Sequence, residues 1–186
     1  MPETDRLILR ELTPDDAEAL YHIYHEPDVL KYFSRGPPDS IEAERAGIER
    51  HMDHYKRHGF GLWATILRES GELIGRCGLI CQQVDGIEDV EVGYLLSPRF
   101  WGRGLASEAA RASRDFGFRV AGCPRLISII NTQNIASKRV AAAIGMRPSR
   151  KTRFHDVEVE IFSITRDASS PAGTSGNRWN CSHHAE

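Results

Sequence analysis

Residues 97–109 read "SPRFWGRGLASEA", and they join a strand-like apolar run to a helix-like run. The junction holds two glycines, Gly102 and Gly104, and two arginines, Arg99 and Arg103. A helix that begins at a glycine-rich turn presents unpaired backbone N–H groups and the positive end of its dipole, which together bind phosphate. We therefore expect a pyrophosphate-binding loop here, to which the arginines add charge-assisted contacts. The alternative is a tight turn with glycines for steric reasons and arginines for solubility.

Two common nucleotide-binding loops do not fit this stretch. A Walker loop needs Lys and then Ser or Thr after its last glycine, whereas Leu105 and Ala106 follow Gly104. A dinucleotide fingerprint needs a third glycine or alanine where Ser107 stands, directly after the first strand of a repeated βαβ unit. Neither condition is met.

The composition is typical of one ordinary soluble domain. The chain has 186 residues, of which 40% are hydrophobic, and a formal net charge of −2, so overall charge gives no support for nucleic-acid binding. No run of about eighteen apolar residues could span a membrane, and the acidic amino terminus is unlike a secretory signal. We expect a cytoplasmic protein with neither a nucleic-acid nor a membrane partner. Its cysteines lack C-x-x-C spacing, which predicts small core residues and one tail thiol, Cys181.

Hydrophobic periodicity and turn residues divide the chain into strands and helices. The predicted order is strand, two helices, three strands, helix, strand, helix and two strands, which is an α+β arrangement with a mixed sheet rather than a doubly wound fold. Strands are expected at "LILREL", "FGLWATILRE", "ELIGRCGLICQQV", "VEVGYLLSP", "RLISIIN", "SRKTRF" and "VEVEIFSITRD". The helix after the opening stretch is expected to bury one stripe, formed by Leu105, Ala109, Ala112 and Phe116.

The carboxyl-terminal residues differ in composition from the rest. Residues 168–186 are rich in Ser, Gly, Ala and polar groups, with Trp179 as an isolated aromatic side chain. Such a segment buries too little apolar surface to offset the entropy lost on ordering. The sequence therefore predicts one domain over residues 1–167 and a disordered tail over residues 168–186.

Two motifs resemble those of a known enzyme family. The letters "RFWGRG" at residues 99–104 resemble the [Gln/Arg]-x-x-Gly-x-[Gly/Ala] signature of the GNAT superfamily of acyl-CoA-dependent N-acyltransferases, and "NTQNIAS" at residues 131–137 falls where that family has a second motif. The resemblance extends over residues 7–167 and is closest to the branch that acetylates the amino termini of ribosomal proteins. It implies a mostly antiparallel sheet of about seven strands flanked by about four helices.

This resemblance also implies a reaction. An acetyl group would pass from acetyl-CoA, without a metal, to a primary amine that attacks directly in a ternary complex. The amine belongs to a protein amino terminus, such as that of a ribosomal protein, or to a small molecule. Homodimer formation stays open.

By the same resemblance, the coenzyme A pyrophosphate lies on the amides of residues 99–104, and the pantetheine arm pairs with the backbone of the preceding strand. Asn134 would bond the arm, and Ser137 would sit near the sulfur; as an alternative, Asn134 simply caps the last helix. The implied coenzyme-binding residues are Leu95, Leu96, Ser97, Arg99, Phe100, Trp101, Gly102, Arg103, Gly104, Leu105, Ala106, Asn134 and Ser137.

Glu91 is the candidate general base. It interrupts the apolar strand "DVEVGYLL", where alternation puts it on the face of Gly93 and Leu95. Burial would raise the pKa of this carboxylate toward a range suited to a base, and the family places a Glu here. The alternative is a strand-end glutamate that reaches solvent or pairs with an arginine. Because about a fifth of an α-amine but only about a thousandth of a lysine amine is uncharged at about pH 7.4, a weak base suffices for an α-amine.

The resemblance leaves three answers for the acid that protonates the leaving thiolate. Many members of the family carry a tyrosine four residues after the position of Ser137, where this chain has Ala141. Strand alternation puts Tyr94 on the face opposite Glu91, so Ser137, a water molecule or no acid serves. The missing tyrosine keeps a second interpretation open, a non-catalytic acyl-CoA-binding sensor or docking module, against which Glu91 argues.

Acceptor contacts are expected from a loop and from an acidic cluster. The loop lies between the first two helices, where the resemblance implies acceptor binding and the alternative is a plain connection. The cluster, Asp85, Glu88 and Asp89, predicts a negative entrance for a cationic amine, or else a solvated turn. The predicted acceptor-binding residues are Phe33, Ser34, Arg35 and Asp89.

Three histidines on the second helix invite a comparison with metal sites. His51, His54 and His58 are spaced by three and four residues, but no carboxylate completes an H-E-x-x-H pattern. Neighbouring charged residues indicate a solvated face, so no metal is predicted.

Overall fold

The structure is a computed structural model, and it describes residues 2–166. Within this range seven strands form one sheet in which every neighbouring pair is antiparallel except the fourth and fifth strands, which are parallel. The predicted tail with Cys181 lies outside the described residues. The strands are β1 (Leu7–Arg10), β2 (Leu62–Leu67), β3 (Leu73–Val84), β4 (Ile87–Leu96), β5 (Arg125–Asn131), β6 (Arg147–Phe154) and β7 (Val157–Thr165), in the spatial order β1-β2-β3-β4-β5-β7-β6.

Four α-helices accompany the sheet in the described part of the chain, which confirms the predicted mixed α+β fold. None of them is long and apolar enough to cross a membrane. They are α1 (Ala17–His25), α2 (Ile41–His58), α3 (Leu105–Arg119) and α4 (Ile135–Ala143).

Local chemistry sets the helix boundaries. The Ser40 hydroxyl accepts the Ala43 N–H at 3.1 Å at the start of α2, and Gly59, with φ of +72°, ends that helix in the left-handed conformation. The end of α1 comes directly before Glu26, which is extended because Pro27 follows it.

The stripe that α3 buries differs from the predicted one. Leu105 and Ala109 are buried as expected, but the stripe continues through Ser113 and Gly117 instead of Ala112 and Phe116. A Cβ at position 117 would lie 3.0–3.2 Å from methyl groups of β3 and β5 side chains. The glycine therefore lets this turn of the helix pack directly against Leu79 and Leu126 of the sheet.

The parallel pair β4 and β5 diverges along its length, and this opens the sheet. The two strands pair at a single register position, Glu91 opposite Ile127. Next to it, the Ser128 hydroxyl donates to the Val92 carbonyl at 2.8 Å. A side-chain hydrogen bond thus replaces the next backbone hydrogen bond between the two strands. The following β4 residues pair with β3 alone.

Candidate active site

A cavity of about 770 Å³ lies at the divergence of β4 and β5. Its walls come from α1, α2, the loop at residues 30–39, strands β3, β4 and β5, the start of α4, and the β6–β7 hairpin. The volume falls in the range of sites that hold small molecules. The cavity contains Glu91, Asn134 and Ser137, which the sequence assigned to one site.

Glu91 is held by two hydrogen bonds at the only pairing position of β4 and β5. Gln82 Nε2 donates to its Oε2 at 2.9 Å, and the Ile129 N–H donates to its Oε1 at 3.3 Å. Burial raises the pKa of Glu91, while these hydrogen bonds and the charge of Arg76 act in the opposite direction. The carboxylate is therefore oriented and is a better base than an exposed glutamate.

The start of α4 forms the facing wall. Asn134 Oδ1 accepts the Ser137 N–H at 3.0 Å, so Asn134 caps the helix as the alternative interpretation expected. The Tyr94 hydroxyl donates to the Ser137 carbonyl at 2.7 Å. β4 is thus tied to α4 across the gap between the strands.

Tyr94 lies nearer to the site than strand alternation suggested. Its side chain points away from the Glu91 face and packs in the same apolar cluster as Ala141, yet it lines the same cavity. This happens because the gap between β4 and β5 is open to both faces of the sheet. Burial raises the pKa of Tyr94, so its phenol keeps its proton. Tyr94 thus lies on the face opposite Glu91, as strand alternation predicted, but because it also lines the cavity it is a further candidate for the acid.

The glycine-rich loop has the backbone geometry of an anion site. Gly102 and Gly104 have φ of +72° and +77°, a region that favours glycine, and Gly104 is the N-cap of α3. Within residues 2–166, the amides of residues 102–107 donate to no backbone carbonyl. These amides gather at the positive end of a helix dipole.

Both loop arginines lie beside the Phe100 ring. The guanidinium carbons of Arg99 and Arg103 lie 5.4 and 5.6 Å from its centroid. Arg99 also pairs with Glu72 at 3.1 Å on the surface, a contact that the sequence did not predict. Arg6, directly before β1, holds the loop, since its Nη1 donates to the Arg103 carbonyl at 3.0 Å.

Two of the predicted backbone contacts, at Leu96 and Ser97, already have partners within the chain. Trp101 Nε1 donates to the Leu96 carbonyl at 2.7 Å. The Ser97 N–H donates to the Ile74 carbonyl, and its hydroxyl donates to Glu26 at 2.8 Å. Of the predicted strand contacts, Leu95 is the one that lines the cavity.

The predicted acceptor loop lines the cavity, whereas the acidic cluster does not. Phe33, Ser34 and Arg35 line the cavity. Asp89 does not line it, and its carboxylate faces Arg125 at 3.7 Å. Asp85 also lies outside the cavity, where it binds Arg150 and Thr152 of β6. Asp85 and Asp89 therefore do not form a negative entrance to the cavity, because each faces an arginine of a neighbouring strand.

Four further cavity residues, which the sequence did not identify as part of a site, lie close to one another. Arg76 Nη1 donates to His51 Nε2 at 3.0 Å, and the Arg76 guanidinium carbon lies 5.2 Å from the centroid of the Tyr24 ring. Glu44 of α2 completes the group. The one available signal was Arg76, a charge inside the apolar run "LIGRCGLI".

The three histidines of α2 serve different contacts. His51 turns to Arg76, whereas His54 Nδ1 bonds the Phe60 carbonyl at 2.8 Å and its Nε2 accepts the Cys81 N–H at 3.3 Å. Donor atoms of His54, His58 and Cys81 lie within 4.8 Å of one another, the spacing of a metal site. Both nitrogens of His54 are already engaged, however, so its ring offers no atom to a metal ion.

Comparisons with known proteins agree with this architecture. The chain is 34% identical over 160 residues to the uncharacterized protein YkkB of Bacillus subtilis, which covers 86% of this chain and 92% of that protein. It is 32% identical over 172 residues to the uncharacterized N-acetyltransferase YoaA of Bacillus subtilis, with coverage of 88% and 96%. An acetyltransferase structure from Agrobacterium tumefaciens shares 27% identity, with a TM-score of 0.74 and coverage of 88% and 93%.

The family model described as "Acetyltransferase (GNAT) domain" matches residues 6–147. This range begins at β1 and ends at the start of β6, so it includes the glycine-rich loop, Glu91 and the start of α4. The chain therefore belongs to the GNAT acetyltransferase family, and it is an acetyltransferase.

Proposed function

We propose that this enzyme transfers the acetyl group of acetyl-CoA to the primary amine of a small molecule. The observation that carries the proposal is Glu91, an oriented and half-buried carboxylate in a cavity that opens where two parallel strands diverge. GNAT enzymes use acetyl-CoA, and the residues of this chain fit that substrate. The same carboxylate disfavours a non-catalytic sensor, because binding coenzyme A alone needs no base.

The glycine-rich loop supplies the phosphate-binding part. The free amides of residues 102–107 and the α3 dipole bind the pyrophosphate, and Arg103 adds a charge beside them. Leu95 pairs with Arg76 of β3, so the backbone groups on the side of β4 that lacks a partner strand are those of Tyr94 and the Leu96 N–H, and these are offered to the pantetheine arm. Asn134 contributes its amide nitrogen, since its oxygen caps α4.

The reaction then needs one base and one acid. Glu91 takes a proton from the attacking amine, whose nitrogen forms a bond to the thioester carbonyl carbon. The carbon–sulfur bond breaks, and the thiolate takes the Tyr94 phenolic proton, which solvent replaces. Glu91 releases its proton to solvent, and the products are an acetamide and coenzyme A. Tyr94 takes the place of the tyrosine missing at Ala141, and Ser137 orients it through its carbonyl.

A small acceptor suits the volume of the cavity better than a protein chain. Two curated relatives with named activities are a spermidine N(1)-acetyltransferase of Escherichia coli, 22% identical, and an FsC-acetyl coenzyme A-N(2)-transacetylase of Aspergillus fumigatus, 29% identical. A ribosomal-protein-S5-alanine acetyltransferase of Vibrio fischeri is a structural neighbour at 16% identity, which reflects the fold alone. The ribosomal-protein branch suggested by the sequence therefore carries no weight in the proposal.

The test is a coupled assay with the full chain. Protein and acetyl-CoA are mixed with polyamines, amino acids, aminoglycosides and amino-terminal peptides, and a thiol reagent reports free coenzyme A above the rate without acceptor. Release that depends on a small amine supports the proposal. Release with peptides alone contradicts the small acceptor, and no release with any amine contradicts acetyl transfer to amines.

A further inference from the structure

We infer that the acceptor is an amino acid-like molecule, whose amine faces Glu91 and whose carboxylate is bound by Arg76 and Tyr24. This inference rests on the proposed function and names its substrate class. It is argued from hydrogen-bond donors of Arg76 and Tyr24 that line the cavity and have no partner for all of their N–H or O–H groups within the described residues.

Arg76 carries a positive charge that forms no direct salt bridge with a carboxylate of the described residues. It stands on β3 opposite Leu95, and alternation places it on the sheet face that also bears Glu91. Its close contacts are the His51 ring nitrogen at 3.0 Å and the Tyr24 ring at 5.2 Å. Within residues 2–166, no carboxylate oxygen lies within 4 Å of its guanidinium nitrogens.

His51 does not supply that missing negative charge. Its Nε2 accepts a hydrogen bond from Arg76, which requires a neutral ring, and burial lowers the pKa of His51 to about 3. The contact orients the guanidinium without compensating it. The remaining N–H groups of Arg76 stay available to a planar anion.

Tyr24 provides the second donor. Its side chain is only 6% exposed, it lines the cavity, and its hydroxyl has no hydrogen-bond partner within the described residues. Buried hydroxyl groups in native proteins are generally satisfied, so an unsatisfied one beside a binding cavity suits a ligand oxygen. A carboxylate has two oxygens, one for Arg76 and one for Tyr24.

The charged residues that line the cavity favour a ligand that carries both a positive and a negative group. Glu44 is 8% exposed and faces Arg50 and Arg76, but it lies beyond 4 Å from each. The cationic lining residues Arg35, Arg50 and Arg76 are matched by the acidic residues Asp39, Glu44 and Glu91. A polyamine would find no excess of negative charge there, whereas a zwitterion meets a partner at both ends.

Paired acceptors test the inference in the coenzyme A release assay. Each carboxylate is compared with its neutral amide: L-alanine with L-alaninamide, β-alanine with β-alaninamide, and 6-aminohexanoate with 6-aminohexanamide. In wild type, kcat/KM should favour the carboxylate of at least one pair by about tenfold to a hundredfold, the range of a charge-assisted hydrogen bond. Arg76→Gln should remove that preference by slowing the carboxylate more than the amide, which loses only the effect of the Arg76 charge on Glu91. Arg57→Gln, on the exposed side of α2, should keep it.

Tyr24→Phe separates ligand binding from a structural role. Because the change removes a buried hydroxyl without a partner, Tm should stay equal or rise, while the preference for the carboxylate falls. A lower Tm with an intact preference would assign Tyr24 to packing and overturn its part of the inference. Coenzyme A release without any carboxylate preference overturns the inference and leaves the proposed function standing. No release from any amine overturns the proposed function, and the inference falls with it.

Discussion

Glu91 could be identified from the sequence because a charge inside an apolar strand is costly unless it is used. The two groups that donate hydrogen bonds to Glu91 could not be identified from the sequence. The bond from Ile129 depends on the parallel pairing of β4 with β5, and the bond from Gln82 depends on the β3–β4 register. Both are set by contacts between residues distant in the chain, which periodicity does not report.

Glu91→Gln should keep acetyl-CoA binding and lower kcat/KM by about a hundredfold to ten-thousandfold, the usual contribution of general-base catalysis. The residual rate should follow the uncharged fraction of the acceptor and recover as pH rises. The measurement is a pH profile with an acceptor found in the release assay. An unchanged rate at neutral pH, with chemistry rate-limiting, would exclude Glu91 as the base.

The pH dependence of Tm provides an independent check on the environment of Glu91, with the same substitution. The pKa of Glu91 is raised in the folded state, so the folded protein holds its proton more tightly than the unfolded chain does, and stability falls as pH rises above the ordinary glutamate value. The substituted glutamine side chain carries no charge, and the Gln82 amide can turn to donate or accept. The Tm of Glu91→Gln relative to wild type should therefore rise as pH rises above the ordinary glutamate value of about 4. A constant difference in Tm across this range would show that Glu91 is not desolvated.

Tyr94→Phe tests the acid. It removes the proton donor and the bond to the Ser137 carbonyl while keeping the ring in its apolar cluster. Because a thiolate is a good leaving group, kcat should fall by about a hundredfold, the low end for acid catalysis, and the loss should shrink at high pH. Ser137→Ala keeps the carbonyl and is the control. A larger loss for Ser137→Ala than for Tyr94→Phe would make the serine the acid.

At the scale of elements, the start of α3 followed from the sequence, because two glycines and a helical pattern were adjacent. The contacts that occupy the loop arginines were not predictable. Arg99 pairs with Glu72, which precedes β3, and the Arg103 carbonyl accepts a hydrogen bond from Arg6, which precedes β1. Only folding brings these segments together.

Gly104→Val should abolish the stabilisation by coenzyme A. A valine strains the left-handed conformation by about 1–2 kcal/mol, and it also places a branched side chain beside the free amides. Gly86→Val is the matched control, since Gly86 has φ of +76° in the β3–β4 turn and no atom within 4 Å of a Cβ there. Both variants should lose similar Tm, but only Gly104→Val should lose the coenzyme A shift.

Pantetheine completes this test, since it lacks the pyrophosphate. In wild type it should raise Tm less than coenzyme A does at equal concentration, by mass action. Equal stabilisation by the two ligands, or a normal coenzyme A shift for Gly104→Val, would show that the loop is a tight turn and does not bind the pyrophosphate.

At the scale of the molecule, the order of elements was predictable and the arrangement of the sheet was only partly so. Hairpins such as β2–β3 and β3–β4 follow from turn residues in the sequence. The placement of β7 between β5 and β6, and the splitting of β4 from β5, depend on distant pairings. The acidic cluster shows the same limit, because its arginine partners lie on β5 and β6.

The buried histidines link the site to the stability of the whole fold. Burial lowers the pKa of His51 to about 3 and that of His54 to about 4. The unfolded chain therefore binds protons on these rings near the ordinary histidine value, where the folded protein does not. The stability that they contribute is fully present above about pH 6.5 and is lost as pH falls toward the folded pKa values.

Acidification from pH 7 to pH 5 should therefore lower Tm, and His51 alone should account for about 2 kcal/mol of that loss, or about 4–8 °C. His51→Gln should flatten the dependence of Tm on pH whatever it does to Tm at pH 7, because glutamine can still accept from Arg76 and does not titrate. His22→Gln, at an exposed position of α1, should leave the slope unchanged. An equal slope for wild type and His51→Gln would mean that His51 is protonated in the folded protein. The neutral contact that leaves the charge of Arg76 free for a substrate carboxylate would then be absent.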